Sequence, residues 1–329
     1  MNPRTIKFFS YYKPYLGMLL LDLLCTFLVS LAALLLPLCA GYITGTLLRN
    51  NAPLEQIYWV GWLMLGLGII YVLCNVFVDY QGHMMGTLME ADMRCELFEH
   101  YQKLSHRFFD AQKTGQLMTR LTNDLFAIGE LAHHAPEDLL VALVKFIGVF
   151  VVLGITNLEL TLIAFCFLPV MAAYGLYFNK KMNAAQYKTN QQVGELNAQI
   201  EDSLAGIRVV QSFTNEVAEN HKFMVQNTRF VQTRRAWYFN ETFFYSGMTA
   251  FTQLMTILVI VFGSLAIAKG NLRPDQLVVF LLCLGILTDP IQRIINFARL
   301  YQEGGTGFHR FMEIMELQPE IADAQMRLY

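Results

Sequence analysis

The sequence predicts an all-α membrane protein with six transmembrane helices and two long polar helical extensions. Three observations lead there. Of 329 residues, 55% are hydrophobic and only 15% are charged, whereas a soluble domain has about 25% charged residues. Six apolar stretches approach the ~20 residues that a spanning helix needs. Two of the connections between them, residues 79–138 and 179–242, are long and proline-free over most of their length. Disorder, a coiled coil and an ordinary soluble enzyme are excluded by this composition. A net charge of −2 leaves no global basic field for nucleic acid.

The N-terminal segment, residues 1–14, alternates basic and aromatic residues, including Arg4, Lys7, Phe8, Phe9, Tyr11, Tyr12 and Lys13. That pattern suits a short helix in the membrane interface. The apolar run that follows is too long for the core of a signal peptide. The predicted spans are residues 16–48, 57–78, 139–155, 160–178, 243–268 and 277–295. Three tight connections join the first span to the second, the third to the fourth and the fifth to the sixth. They must share one side of the membrane.

The other two connections keep a helical period. In the first, Met85, Met89, Met93, Leu97, Tyr101, Leu104 and Phe108 recur every three or four residues. In the second, Val193, Leu196, Ile200, Leu204 and Ile207 do the same. These are amphipathic helices that need a partner. The second span therefore continues to about His106 and projects tens of ångströms into water.

Basic residues assign the sides. The short loops hold only Arg49, Lys269 and Arg273. The excursions hold many more, among them Arg94, Lys113, Arg120, Lys180, Lys181, Arg208, Arg234 and Arg235. Both excursions and both termini are expected to be cytoplasmic.

The first excursion reverses near residues 105–124. Gly115 is expected to supply a turn conformation, with Thr114 or Asp110 capping a short helix. That helix would carry Leu117, Met118 and Leu121 along one side and Arg120 on another. The second excursion reverses near residues 205–216, where Ile207, Val210 and Phe213 form an apolar strip beside Gly206 and Arg208.

These tips resemble those of a known family. Phe108-Phe109-Asp110, Thr114-Gly115-Gln116-Leu117 and Arg120-Leu121-Thr122-Asn123-Asp124 resemble the first intracellular loop of multidrug-type, six-helix ATP-binding cassette (ABC) exporters. Gly206-Ile207-Arg208-Val209-Val210-Gln211-Ser212-Phe213 with Glu216 is similar to their second loop. Arg310-Phe311-Met312-Glu313-Ile314-Met315-Glu316 and Pro319-Glu320-Ile321 resemble the stretch that leads to a nucleotide-binding domain. The resemblance implies the ABC exporter transmembrane-domain fold over residues 15–316 and a linker beginning at 317–329. It also implies coupling to nucleotide-binding domains through Thr114, Gly115, Gln116, Leu117, Arg120 and Asp124, and through Gly206, Ile207, Arg208, Val210, Phe213 and Glu216. Members pair as homodimers or heterodimers, alternate access to a central cavity, and use ATP and Mg2+ on the nucleotide-binding domains. A bacterial plasma membrane is the expected location.

The chain itself holds no Gly-Lys dipeptide and no LSGGQ-like signature. A phosphate-cradling loop needs the former, so no catalytic or cofactor-binding site is assigned here. ATP hydrolysis is expected of a full-length protein. Gly304-Gly305-Thr306-Gly307 lacks the lysine and the preceding strand of such a loop. The six cysteines share no CxxC spacing and lie mostly in apolar runs. Neither a disulfide nor a metal site is expected from them.

Ionisable residues inside spans are costly and mark function. Asp22 is expected to snorkel to the interface, and Asp79 and His83 to form an i, i+4 pair. Lys145 needs an acidic neighbour. In the sixth span Asp289, Pro290, Gln292, Arg293 and Asn296 make the lower half polar and line the inner mouth of a cavity. Phe243, Phe244, Tyr245 and Phe251 suit helix packing or an aromatic binding wall. Two other classes stay open on these residues alone. One is a stand-alone secondary transporter or channel, although Asp289-Pro290 is its only helix break. The other is a membrane scaffold that uses the excursions to bind partners.

Overall fold

The computed structural model describes residues 3–318, and every regular element among them is helical. The chain opens with α1 (Pro3–Ser10), a tight turn at Lys13–Tyr15 and α2 (Leu16–Tyr42), which runs into a π-helical turn at Ile43–Leu47. Next come α3 (Leu54–Tyr101), the short α4 (His106–Ala111) and α5 (Thr114–Thr119), and a second π-helical turn at Arg120–Asp124. The remainder is α6 (Leu125–Thr156), α7 (Leu158–Ala205), α8 (Ile207–Ser212), α9 (Glu216–Ala268) and α10 (Pro274–Met315). Among the described residues, six helical stretches are long and apolar enough to cross a membrane. The chain is therefore an integral membrane protein of the expected all-α class. Pro319-Glu320-Ile321, and the linker beyond, lie outside the described residues.

At 1.5 Å per residue, the 48 residues of α3 span about 70 Å, more than twice the ~30 Å hydrocarbon core. The helix stops at Tyr101, five residues short of the expected end. There the amides of Lys103 and Leu104 bond back three residues, and Ser105 turns extended.

The described residues divide into two compact units. The first runs up to Thr161 and resumes at Val259. Its core is the apolar stripe of α3: Met85, Met89, Met93, Leu97 and Tyr101 are all buried. They meet Leu125, Ile128 and Ala132 of α6 and Phe311, Met312 and Ile314 of α10. Leu104 and Phe108 pack against the same cluster.

The N-terminal segment docks on this core rather than only facing lipid. Tyr11 and Tyr12 are buried in it. The Tyr12 hydroxyl donates to the carbonyl of Ala132 at 2.7 Å, and that of Tyr11 donates to Glu96. Burial pushes the Tyr12 phenol well above its usual range. Lys7 pairs with Glu96 at 2.6 Å and Arg4 with Glu316 at 2.5 Å.

Glycines let these helices approach closely. A Cβ on Gly86 would lie 2.8 Å from the carbonyl oxygen of Gly129. The glycine cluster in α10 is a second contact: a Cβ on Gly304 would meet that of Leu131 at 2.6 Å, and one on Gly307 the Asp124 carbonyl oxygen at 2.8 Å. Its glycines serve packing within a continuous helix.

The second unit, Leu162–Leu258, is an antiparallel hairpin of α7 and α9 with α8 at its tip. Ser203 bonds Glu219 at 2.7 Å, Gln192 reaches Gln226, and the Tyr174 hydroxyl donates to the Phe243 carbonyl at 2.6 Å. Tyr174 also meets Phe251 edge-on, and Phe178 stacks on Phe243. Phe243 and Phe251 of the fifth span thus pack against α7, whereas Tyr245 is exposed. Of the second stripe, Leu196 and Ile200 are half-buried, while Val193, Leu204 and Ile207 are exposed.

Candidate coupling surface and intramembrane polar cluster

The first tip is built on the first unit's core. Leu117 of α5 is buried in the cluster and Leu121 packs against it, while Met118 points out at 61% exposure. The three apolar residues therefore do not share one side as expected. Thr114 is the first helical residue and does not cap: the capping position is Lys113, in extended conformation and without a side-chain bond. Asp110 belongs to α4. Gly115 sits inside α5 and adopts no left-handed conformation. The hydrogen-bonding demands of α5 replace the turn that a glycine suggested. Thr114, Gly115 and Gln116 remain exposed.

Arg120 and Asp124 face α10 rather than a free surface. Arg120 donates to the Arg310 carbonyl at 3.1 Å and lies 3.7 Å from Glu313. Asp124 is buried and accepts from Arg310 at 3.1 Å. Arg94 of α3 donates to the Leu121 carbonyl at 2.9 Å. These bonds tie the tip to both α3 and the end of α10.

The second tip is more open. Gly206 precedes α8 with ordinary right-handed geometry, so it is not needed for a left-handed turn. That role falls to Thr214, at φ 51°, a conformation that resists β-branched residues. Val210 is half-buried, whereas Ile207, Val209 and Phe213 are exposed, Phe213 at 79%. Arg208 and Glu216 are exposed as well. Below α8, Lys222 and Ser203 bond to Glu219 and hold its carboxyl below its usual range.

The second site lies in the first unit, partly within the apolar spans and partly at the end of the third, where Glu137 and Asp138 stand. Lys145 of α6 finds the acidic neighbour it needs in Asp289 of α10, at 2.6 Å. Arg293, one turn further along, binds Asp289 at 3.2 Å, Glu137 at 2.8 Å and Asp138 at 2.7 Å. Two cations thus face three carboxylates. Glu137, Lys145, Asp289 and Arg293 line a cavity of ≈ 300 Å³ together with Tyr71 and Asn75 of α3. α10 runs unbroken through Pro290. Proline has no N–H for the carbonyl four residues back, and that residue, Ile286, lines the cavity. Pro290 is buried, Gln292 half-buried and Asn296 exposed, and none of the three lines the cavity.

Two expectations change. Asp22 does not snorkel: it is 1% exposed and neither carboxylate oxygen has a hydrogen-bond partner. Asp79 and His83 do not pair through their side chains. His83 Nδ1 meets the Asp79 backbone carbonyl at 2.7 Å, and the Asp79 carboxylate accepts from Asn75. Glu137 and Asp138 were not foreseen as partners of Arg293, although adjacent carboxylates at the mouth of a span were a signal.

Comparison with known proteins agrees with this geometry. The family model described as the ABC transporter transmembrane region matches residues 19–291. The chain is 38% identical, over 97% of its length and 55% of the relative's, to the ABC transporter ATP-binding protein YwjA of Bacillus subtilis (strain 168). It is 27% identical, over 88% of its length and 50% of the relative's, to an ATP-dependent lipid A-core flippase of Syntrophus aciditrophicus (strain SB). It is 22% identical, over 81% and 46%, to the probable multidrug resistance ABC transporter ATP-binding/permease protein YheI of Bacillus subtilis (strain 168). The chain spans about half the length of these relatives. With its six apolar helices, this chain belongs to the ABC transporter transmembrane region family.

Proposed function

We propose that this chain is the substrate-translocating, membrane-spanning part of an ATP-driven exporter. Its motor is a nucleotide-binding domain that carries ATP and Mg2+, reached through the linker that begins at residues 317–329. That domain docks on the tips at residues 114–124 and 205–216. A second half-transporter, identical or related, completes the cavity and covers the exposed stripe of the second excursion. Closure of the motors on ATP moves the tips, and the long helices pass that movement to the spans, which alternate between two packings. Both termini face the cytoplasm of a bacterial plasma membrane. The relatives named for lipid A-core and for multidrug resistance make lipid-like and apolar drug-like compounds the first cargoes to try.

The observation that carries this reading is α8. It holds Ile207 and Val209 exposed, with Phe213 just beyond, at the end of a hairpin that extends about 40 Å past the apolar spans. Apolar side chains clustered there, beyond the apolar spans, support a docking surface for a protein partner. The test uses the full-length protein in proteoliposomes. Phe213→Asp should lower ATP-driven transport at least about tenfold, equivalent to roughly 1.4 kcal/mol of docking, with membrane insertion intact. Unchanged transport in Phe213→Asp, or wild-type transport that needs no ATP, would overturn the reading.

A further inference from the structure

Where α3 and α6 leave their apolar spans, three histidines converge. His83 comes from α3, His133 and His134 from α6, and a donor nitrogen from each lies within 4.8 Å of the others. The three rings form a mutual cluster, with centroids 4.7 Å (His83–His133), 5.3 Å (His83–His134) and 4.5 Å (His133–His134) apart. None of them belongs to the coupling tips or lines the cavity beside Asp289.

We propose that His83, His133 and His134 form a binding site for a transition-metal ion of the Zn2+ class. Imidazole nitrogens suit Zn2+, Cu2+ and Ni2+, whereas Mg2+ and Ca2+ prefer oxygen. Four features of the chain favour this. His133 is 1% exposed, yet neither ring nitrogen has a hydrogen-bond partner. A buried polar ring without partners is costly and needs a reason. His83 has one nitrogen already engaged, because its Nδ1 faces the Asp79 carbonyl at 2.7 Å. A carbonyl only accepts, so the proton sits on Nδ1 and the Nε2 lone pair is left for a metal.

The third feature is room. Any Cβ at position 82 would overlap the His133 ring, so Gly82 makes the space that this imidazole occupies. The fourth is charge. Glu137 turns one carboxylate oxygen to Arg293 and the other towards the histidines, 3.7 Å from His133 Nε2 and 3.8 Å from His134 Nδ1. Glu130 lies 3.7 Å from His134 Nε2. A carboxylate at that place serves as fourth ligand or as the partner that orients a ligating histidine. Tetrahedral zinc with bonds of about 2.0–2.1 Å holds its nitrogens roughly 3.3 Å apart. From 4.8 Å, the site would have to close by up to about 1.5 Å on binding the ion, and His83 and His134 are the less buried of the three ligands. The site would tie α3 to α6 where the spans become levers.

The test uses full-length protein purified in detergent through a tag without histidines, stripped with chelator and titrated with Co2+. The wild type should show a saturable rise of visible d–d absorption at one equivalent, displaced by Zn2+. His83→Ala and His134→Gln each remove a ligand without opening the buried core. Each should weaken Co2+ binding by at least about tenfold, since even orienting partners contribute that much. Zn2+ should raise the unfolding temperature of the wild type but not of His83→Ala. His221→Ala, at an exposed histidine of the other unit, should bind like the wild type. Absence of saturable Co2+ absorption, or binding undiminished in His83→Ala and His134→Gln, would overturn the site and leave an ion-paired histidine cluster. Neither result depends on ATP or transport.

Discussion

Arg293 concentrates much of the chemistry that a membrane span resists. It bonds to Glu137 and Asp138 of α6 and to Asp289 of its own helix. Glu137 and Asp138 are both buried, so removing the guanidinium strands two carboxylates. Breaking a buried pair on one side costs more than never making it. Arg293→Met is expected to destabilise the protein by about 3 kcal/mol, read from denaturant unfolding in detergent. A loss under 1 kcal/mol would show that water in the neighbouring cavity already screens these charges. The sequence announced that Lys145 needs a partner and that Asp289 and Arg293 are polar intruders. It did not announce who meets whom, because Lys145 and Asp289 stand 144 residues apart. The burial of Asp22 is hidden for the same reason: it is a property of the packed unit, whereas its distance from the start of α2 reflects only local sequence.

The elements themselves were largely readable. A period of three to four apolar residues requires a helix wherever it persists, and α3 keeps it from the membrane to Tyr101. Nearly every residue of that stripe is in the core. Helix ends were harder, since they depend on a few hydrogen bonds. Gly115 suggested a turn but is helical, and the left-handed residue of the second tip is Thr214. The glycines of α10 also changed meaning. Gly304 approaches Leu131 and the Ala127 carbonyl of α6, and Gly307 the Asp124 carbonyl, so closely that a side chain cannot fit without movement. Gly304→Val should therefore cost about 1–3 kcal/mol by overpacking, measured by the same unfolding assay. Gly305→Val, where nothing lies within 4 Å, should cost less and serves as the control. Equal losses would show that helix propensity, not contact, decides.

At the scale of the molecule, α3, α7 and α9 each continue without a break from an apolar span into a polar excursion. The first tip is tied to α3 and α10 through Arg94, Arg120 and Arg310. The second stands on its own hairpin, with apolar residues uncovered. The proposed motor needs both tips on its own side of the membrane. Thiol labelling in intact cells, from outside and then after permeabilisation, tests that most directly. It requires full-length protein whose exposed native cysteines, Cys95 and Cys166, are replaced by serine. Asn51→Cys should label from outside, while Gly115→Cys and Arg208→Cys should label only after permeabilisation. External labelling of Gly115→Cys or Arg208→Cys, with Asn51→Cys protected, would put the tips on the wrong side for an ATP-driven motor and contradict the account.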